Sequence, residues 1–129
     1  MIQIQLINET NWPQDATYAK VRIDKPSPPS FHKMMVRLED LANDLDMQWI
    51  KVYHKSNSNN PAVSVSYKFR NNPTPHIVCC DKYIDPCHNI GCIHHYMRGL
   101  KMCVKSGSIN RIDKLSLIHI SEPTRRHLI

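Results

Sequence analysis

Val63-Ser64-Val65-Ser66-Tyr67-Lys68-Phe69 is the stretch whose reading decides the fold. Apolar side chains alternate strictly with polar ones, the period of two that a strand with one face on a core produces. Valine and aromatic residues hold every apolar position, which suits a pleated surface. Polar turns rich in Asn and Ser bound the stretch, Ser56 to Pro61 before it and Asn71 to Pro75 after it. A strand so bounded needs partners on both sides, and Trp49 to His54 and the compact apolar run His76 to Cys80 supply them.

Working outward, Ser30 is an N-cap, and Met34, Leu38, Leu41 and Leu45 then recur at steps of four, three and four. That spacing predicts an amphipathic helix from Phe31 to about Asp46. Asp85-Pro86 opens a second helix, with proline tolerated in the first turn and aspartate favoured at the positive end. Ile90, Ile93, Met97, Leu100 and Val104 fall within about 80° on a wheel of 3.6 residues per turn and form its core stripe. Near the start, Ala19, Val21 and Ile23 alternate with Lys20 and Arg22, a strand ended by Pro26, Pro28 and Pro29. Residues 1–17 read as an arm with one short strand at Ile2, Ile4 and Leu6, and residues 18–110 as the domain. The order β-α-β-β-β-α predicts a two-layer α+β fold: an antiparallel sheet of about four strands with two helices on one face.

The chain has 129 residues, with 17 Lys plus Arg against 11 Asp plus Glu and a net charge of +6. From Leu115-Ser116-Leu117-Ile118-His119-Ile120 to Ser121-Glu122-Pro123-Thr124-Arg125 it resembles the conceptual translation of a transposase-type library adapter. The resemblance implies that residues 115–129 are a non-native, adapter-derived tail, that residues 111–114 are a truncated continuation, and that any downstream coding sequence is lost. Without that tail, Lys plus Arg falls to 15 and Asp plus Glu to 10, a net charge of +5. The balance is mildly basic and suits an acidic partner such as nucleic acid. No stretch approaches the roughly 18 apolar residues that span a bilayer, and the first residues lack the regions of a signal peptide, so a cytoplasmic protein without a membrane partner is expected. All five cysteines, Cys79, Cys80, Cys87, Cys92 and Cys103, lie in one window, and their odd number favours reduced thiols over a disulfide framework.

Those cysteines, with His88, His94 and His95, invite a zinc hypothesis, but structural zinc needs four convergent ligands. On a helix Cys87 and Cys92 stand about 140° apart, and the line His88, Cys92, His95 is about 10 Å long, too extended to close on one ion. No metal site and no cofactor are expected. Cys87, beside His88 in a helix's first turn, is the best-placed nucleophile, yet no oxyanion donor or second base accompanies it. Glu39, Asp40 and Asp44 lie on the polar face of the first helix, where charge is usually solvated, and the core sequence has only Gly91, Gly99 and Gly107, which form no phosphate loop. The chain therefore reads as a non-enzyme. Its most coherent polar feature is a basic stripe, His94, Arg98, Lys101 and Lys105 at steps of four, three and four, which with Lys82 makes a candidate nucleic-acid-binding surface. The same residues near a helix C-terminus also oppose its dipole.

Two resemblances follow. The helix, three strands, helix order from Ser30 to Lys105 is similar to that of a double-stranded-RNA-binding domain. That family carries a lysine cluster at the start of its second helix, where this chain has Cys87-His88-Asn89-Ile90-Gly91. Cys80-Asp81-Lys82-Tyr83, then Asn89-Ile90, Ile93 and Met97-Arg98-Gly99, resembles the N-terminal region of uncharacterised bacterial and phage J-domain-containing proteins. Trp12-Pro13 and the strand at Ala62 to Phe69 extend the likeness over Trp12 to Lys105. It implies a non-enzymatic accessory or interaction domain with a macromolecular partner, in the front part of a co-chaperone-like protein. The His-Pro-Asp signature of the J domain itself is absent from this chain, and the family carries no catalytic residue over.

Overall fold

The alternating stretch becomes β3 (Val63–Phe69), the middle strand of the sheet. The computed structural model describes residues 1–9, 30–55, 60–105 and 117–120, and for residues 104, 105 and 117–120 it gives the backbone alone. Around β3 stand β1 (Gln5–Ile7), α1 (Phe31–Asp44), β2 (Met47–Tyr53), β4 (His76–Cys80), α2 (Pro86–Lys105) and β5 (Leu117–Ile120). Sheet order follows chain order, β1-β2-β3-β4-β5. The α+β class and the order β-α-β-β-β-α stand as the sequence predicts. No helix among the described residues is long and apolar enough to cross a membrane.

Each helix begins where its local chemistry dictates. Ser30 adopts an extended backbone and its hydroxyl accepts from the Lys33 amide at 3.2 Å, capping α1. The helix ends at Leu45, and Asp46 turns the chain with a φ of 56°, a left-handed conformation unusual for a residue with a side chain. At the start of α2, Asp85 accepts from the Cys87 amide at 2.9 Å through Oδ1, while Pro86 occupies the first position, where no amide hydrogen is needed. The apolar stripes of both helices then meet one face of the sheet. Met34 and Leu38 of α1 and Ile90, Ile93 and Met97 of α2 are buried with Ile50, Val52, Val63, Val65, Tyr67 and Val78 in a single core. Removal of this much apolar surface from water is the main force holding the layers together.

Three departures from the predicted architecture have physical causes. A bulge lies between Met47 and Trp49 in β2, where Met47 pairs with Phe69 but Trp49 pairs with Lys68. The extra residue shifts the phase of the strand, so that Met47, Ile50 and Val52 all reach the core and the strand starts two residues before Trp49. Second, the antiparallel description holds for β2, β3 and β4, whereas β1 pairs in parallel with β2 and β5 in parallel with β4. Third, the first strand lies inside the expected arm: β1 follows Ile2 and Ile4, which pack on the core, and α1 pins this segment through side-chain bonds. Asn43 accepts from the Ile2 amide at 2.9 Å, and Glu39 accepts from the Ile4 amide at 2.9 Å. Glu39 therefore holds the chain start in place, where a solvated charge was expected. The strand expected at Ala19 to Ile23 lies outside the described residues, and β5 falls within the adapter-like tail.

At the junction of these elements sits Asn89, fully buried on the first turns of α2. Its Nδ2 donates to the Pro61 carbonyl at 2.8 Å and the Tyr83 carbonyl at 2.9 Å, and its Oδ1 accepts from the Tyr83 amide at 2.9 Å and the Cys80 thiol at 3.3 Å. One amide thus joins the entry to β3, the exit of β4 and α2. Asn89→Ala is expected to cost about 3 kcal/mol, because several buried polar groups lose their partner at once. A urea midpoint unchanged from the parent would refute this. Among the described residues of the tail, 117–120 pair with β4 at the sheet edge, so the chain without residues 115–129 is expected to keep its far-UV spectrum and melt within a few degrees of the full one. Loss of cooperative melting would show that the tail belongs to the fold.

Candidate functional site

The stripe on α2 gains its surroundings from α1. Both helices pack on the same sheet face and against each other, and between their polar flanks runs an open groove of about 340 Å³. From α2 come His94, Arg98 and Lys101; from α1 come Arg37, Asp40 and Asp44, with Leu41 and Met102 as the apolar part. Met102 is 70% exposed, so the groove has a bare apolar rim.

Charge in this groove is divided. At one end Lys101 donates to Asp44 at 2.7 Å, a partly exposed ion pair that contributes about 0.5 kcal/mol and neutralises one member of the basic stripe. At the other end Arg37, His94 and Arg98 converge, and among the described residues neither guanidinium is engaged in an ion pair. Burial, then the nearby Arg37 and Arg98 charges and His95, hold the His94 imidazole below its ordinary value. The two guanidinium groups beside His94 are in no ion pair among the described residues, and a bound anion would lower their mutual repulsion.

The predicted binding residues therefore separate. His94, Arg98 and Lys101 share the groove, while Lys82 lies in the connection between β4 and α2, its ammonium 5.2 Å from the centre of the Tyr83 ring. The Lys105 side chain lies outside the described residues. Arg37 is the addition that the sequence did not disclose. Its position on the flank of α1 becomes meaningful only once the two helices are seen to lie side by side.

The cysteines divide as well. All five are free thiols, and no three His, Cys, Asp or Glu side chains among the described residues gather as a metal site. Burial and Asp85 push the Cys87 thiol up, which works against reactivity at the best-placed candidate nucleophile. Burial, with Asp81 adding to it, pushes Cys79 up to about 12. Cys92 moves the opposite way, brought down to about 7 by a side-chain hydrogen bond from Cys80, against its own burial and with help from Lys82 and Tyr83. No family model matches the chain, and no curated protein or solved structure does either.

The depressed His94 sets a pH dependence. The folded protein binds a proton at this site more weakly than the unfolded chain, so the site adds nothing against stability above the ordinary value of 6.5 and lowers it as pH falls below that value. Urea midpoints at pH 7.5 and 5.5 should therefore diverge less in His94→Gln than in the parent. Equal divergence would mean that His94 does not contribute.

Proposed function

We propose that this is a non-enzymatic interaction domain that receives an anionic macromolecular partner in the groove between α1 and α2. The observation that carries the reading is the convergence of Arg37, His94 and Arg98 without a paired carboxylate on either guanidinium among the described residues. Guanidinium groups bind carboxylates and phosphates through planar, two-pronged hydrogen bonds. A protein segment with acidic side chains suits the groove best. Asp40 and Asp44 interrupt the positive surface that a continuous phosphate backbone requires, and Met102 and Leu41 offer an apolar contact beside the arginines. The likeness to the region ahead of J domains in bacterial and phage proteins fits a protein partner too.

Nucleic acid is the second reading, and the alignment of Arg37 with His94 and Arg98 favours it. A titration of isotope-labelled protein with an alternating Glu and Leu peptide, and separately with short RNA and DNA duplexes, distinguishes the two. The peptide is expected to shift the resonances of Arg37, His94 and Arg98, and Arg98→Glu to weaken that binding about tenfold, the cost of replacing attraction by repulsion at one contact. Duplex binding that is tighter and falls steeply with salt would favour the phosphate reading. Silence of the groove toward both ligands would remove the proposal.

A further inference from the structure

β4 meets β3 along one edge and β5 along the other, and the second pairing is parallel, with Val78 opposite Ile118 and Cys80 opposite Ile120. β5 lies in the segment that resembles an adapter translation, and on that resemblance its sequence was never selected to fit this sheet. What it offers β4 is generic: backbone donors and acceptors in an extended run, with apolar residues at alternate positions. Without β5, β4 is the border of the sheet. Proteins commonly blunt such borders with very short strands, charges or proline. β4 has five residues, and none of them is Lys, Arg, Asp, Glu or Pro. The opposite border is guarded: β1 has only three residues, and bonds from Asn43 and Glu39 tether the chain leading into it.

The surface beside the β4 edge is apolar as well. α1 lies over β2, and α2 over β3 and β4. His94, Arg98 and Lys101 mark the flank of α2 that faces the groove with α1, and on a wheel of 3.6 residues per turn Cys92 and Tyr96 stand on the opposite flank. Both pack against the core that holds the fully buried Val78 and Cys80. A strand laid along β4 therefore turns the residues opposite Val78 and Cys80 toward this apolar ledge, while those opposite Ile77 and Cys79 turn to the other face of the sheet.

We propose that the outer edge of β4 is a strand-docking site that takes an extended, apolar segment of a partner protein in parallel register, and that β5 occupies this site in the present chain. Recognition has two parts. Main-chain hydrogen bonds supply affinity whatever the sequence, and the ledge of Cys92 and Tyr96 selects apolar residues at two alternate positions. The site lies on the side of α2 away from the arginine-bearing groove, so it stands or falls independently of what that groove binds.

The test uses the full chain carrying Ile118→Pro and His119→Pro together. Successive residues of a strand direct their amides to opposite sides, so one of the two prolines removes a donor toward β4. Hydrogen exchange at the amides of Ile77, Val78, Cys79 and Cys80 is read by NMR against the parent. Those that face the edge are expected to exchange at least about tenfold faster in the variant, and a capped peptide of the sequence Leu-Ser-Leu-Ile-His-Ile-Ser, added in trans, to slow them again. Lysine at both isoleucines of the peptide should weaken its binding about tenfold more than lysine at its second leucine and its histidine. Exchange unchanged from the parent, no protection at millimolar peptide, or equal binding of the two lysine peptides overturns the proposal. Protection that rises with protein concentration in the absence of peptide also overturns it, by showing that a second copy takes the edge. Ile118→Lys with Ile120→Lys serves if the proline variant does not fold, and unfolding of both shows β5 to be an integral strand, which refutes a docking site.

Discussion

The side-chain amide of Asn89 is the constraint on which the rest of this structure depends. Apolar burial drives α2 onto the sheet, but it is non-directional and would tolerate several rotations and heights of the helix. Four hydrogen bonds, each fixed in direction, select one of them. Because α2 also carries His94 and Arg98 of the groove, that selection reaches well beyond the helix start. It sets His94 and Arg98 opposite Arg37 across the groove. A buried polar group whose donors and acceptors are all matched specifies a unique arrangement in a way that methyl groups cannot.

Polar side chains play a similar part on α1. Its core face is ordinary, but Asn43 and Glu39 reach back to hold the backbone of Ile2 and Ile4, and Asp44 reaches across to Lys101. The helix is therefore a bracket between the chain start and α2. Glu39 and Asp44 are occupied in structural tasks, and among the described residues the arginines at the opposite end of the groove are in no ion pair. The asymmetry of the groove, neutral at one end and positive at the other, follows from how these few carboxylates are distributed.

Much of the fold is legible in the sequence because the relevant signals are local. The alternation of Val63 to Phe69, the run His76 to Cys80, the Ser30 cap and the stripe of Ile90, Ile93, Met97 and Leu100 each appear within one element and need no knowledge of a neighbour. The start of β2 is hidden because the bulge at Gln48 breaks the alternation on which a strand reading rests. A short strand at the chain start is legible from Ile2, Ile4 and Leu6, but its place beside β2 is hidden because the segment is held by bonds to residues 35 and 41 positions away. The site divides along the same line. The spacing of His94, Arg98 and Lys101 on one helix is readable, but the neutralisation of Lys101 by Asp44, the arrival of Arg37 and the bond from Cys80 to Asn89 all arise between elements. Asn89 leaves no periodic trace at all; it is one asparagine in a chain with many.

The sequential order of the strands has a kinetic consequence. β2, β3 and β4 are joined by short connections and pair with their immediate neighbours in the chain, so little loop entropy opposes their meeting. β1 must instead find β2 across the whole of α1 and the residues before it, a closure of about 40 residues in which entropy is lost before any contact is made. The meander is accordingly the natural seed of folding, with α2 condensing on it once Asn89 can reach both Pro61 and Tyr83. The amino-terminal strand, like β5 across α2, is thus expected to join after the meander. An opening of this edge would release Ile2 and Ile4 from the core while leaving the groove between α1 and α2 in place.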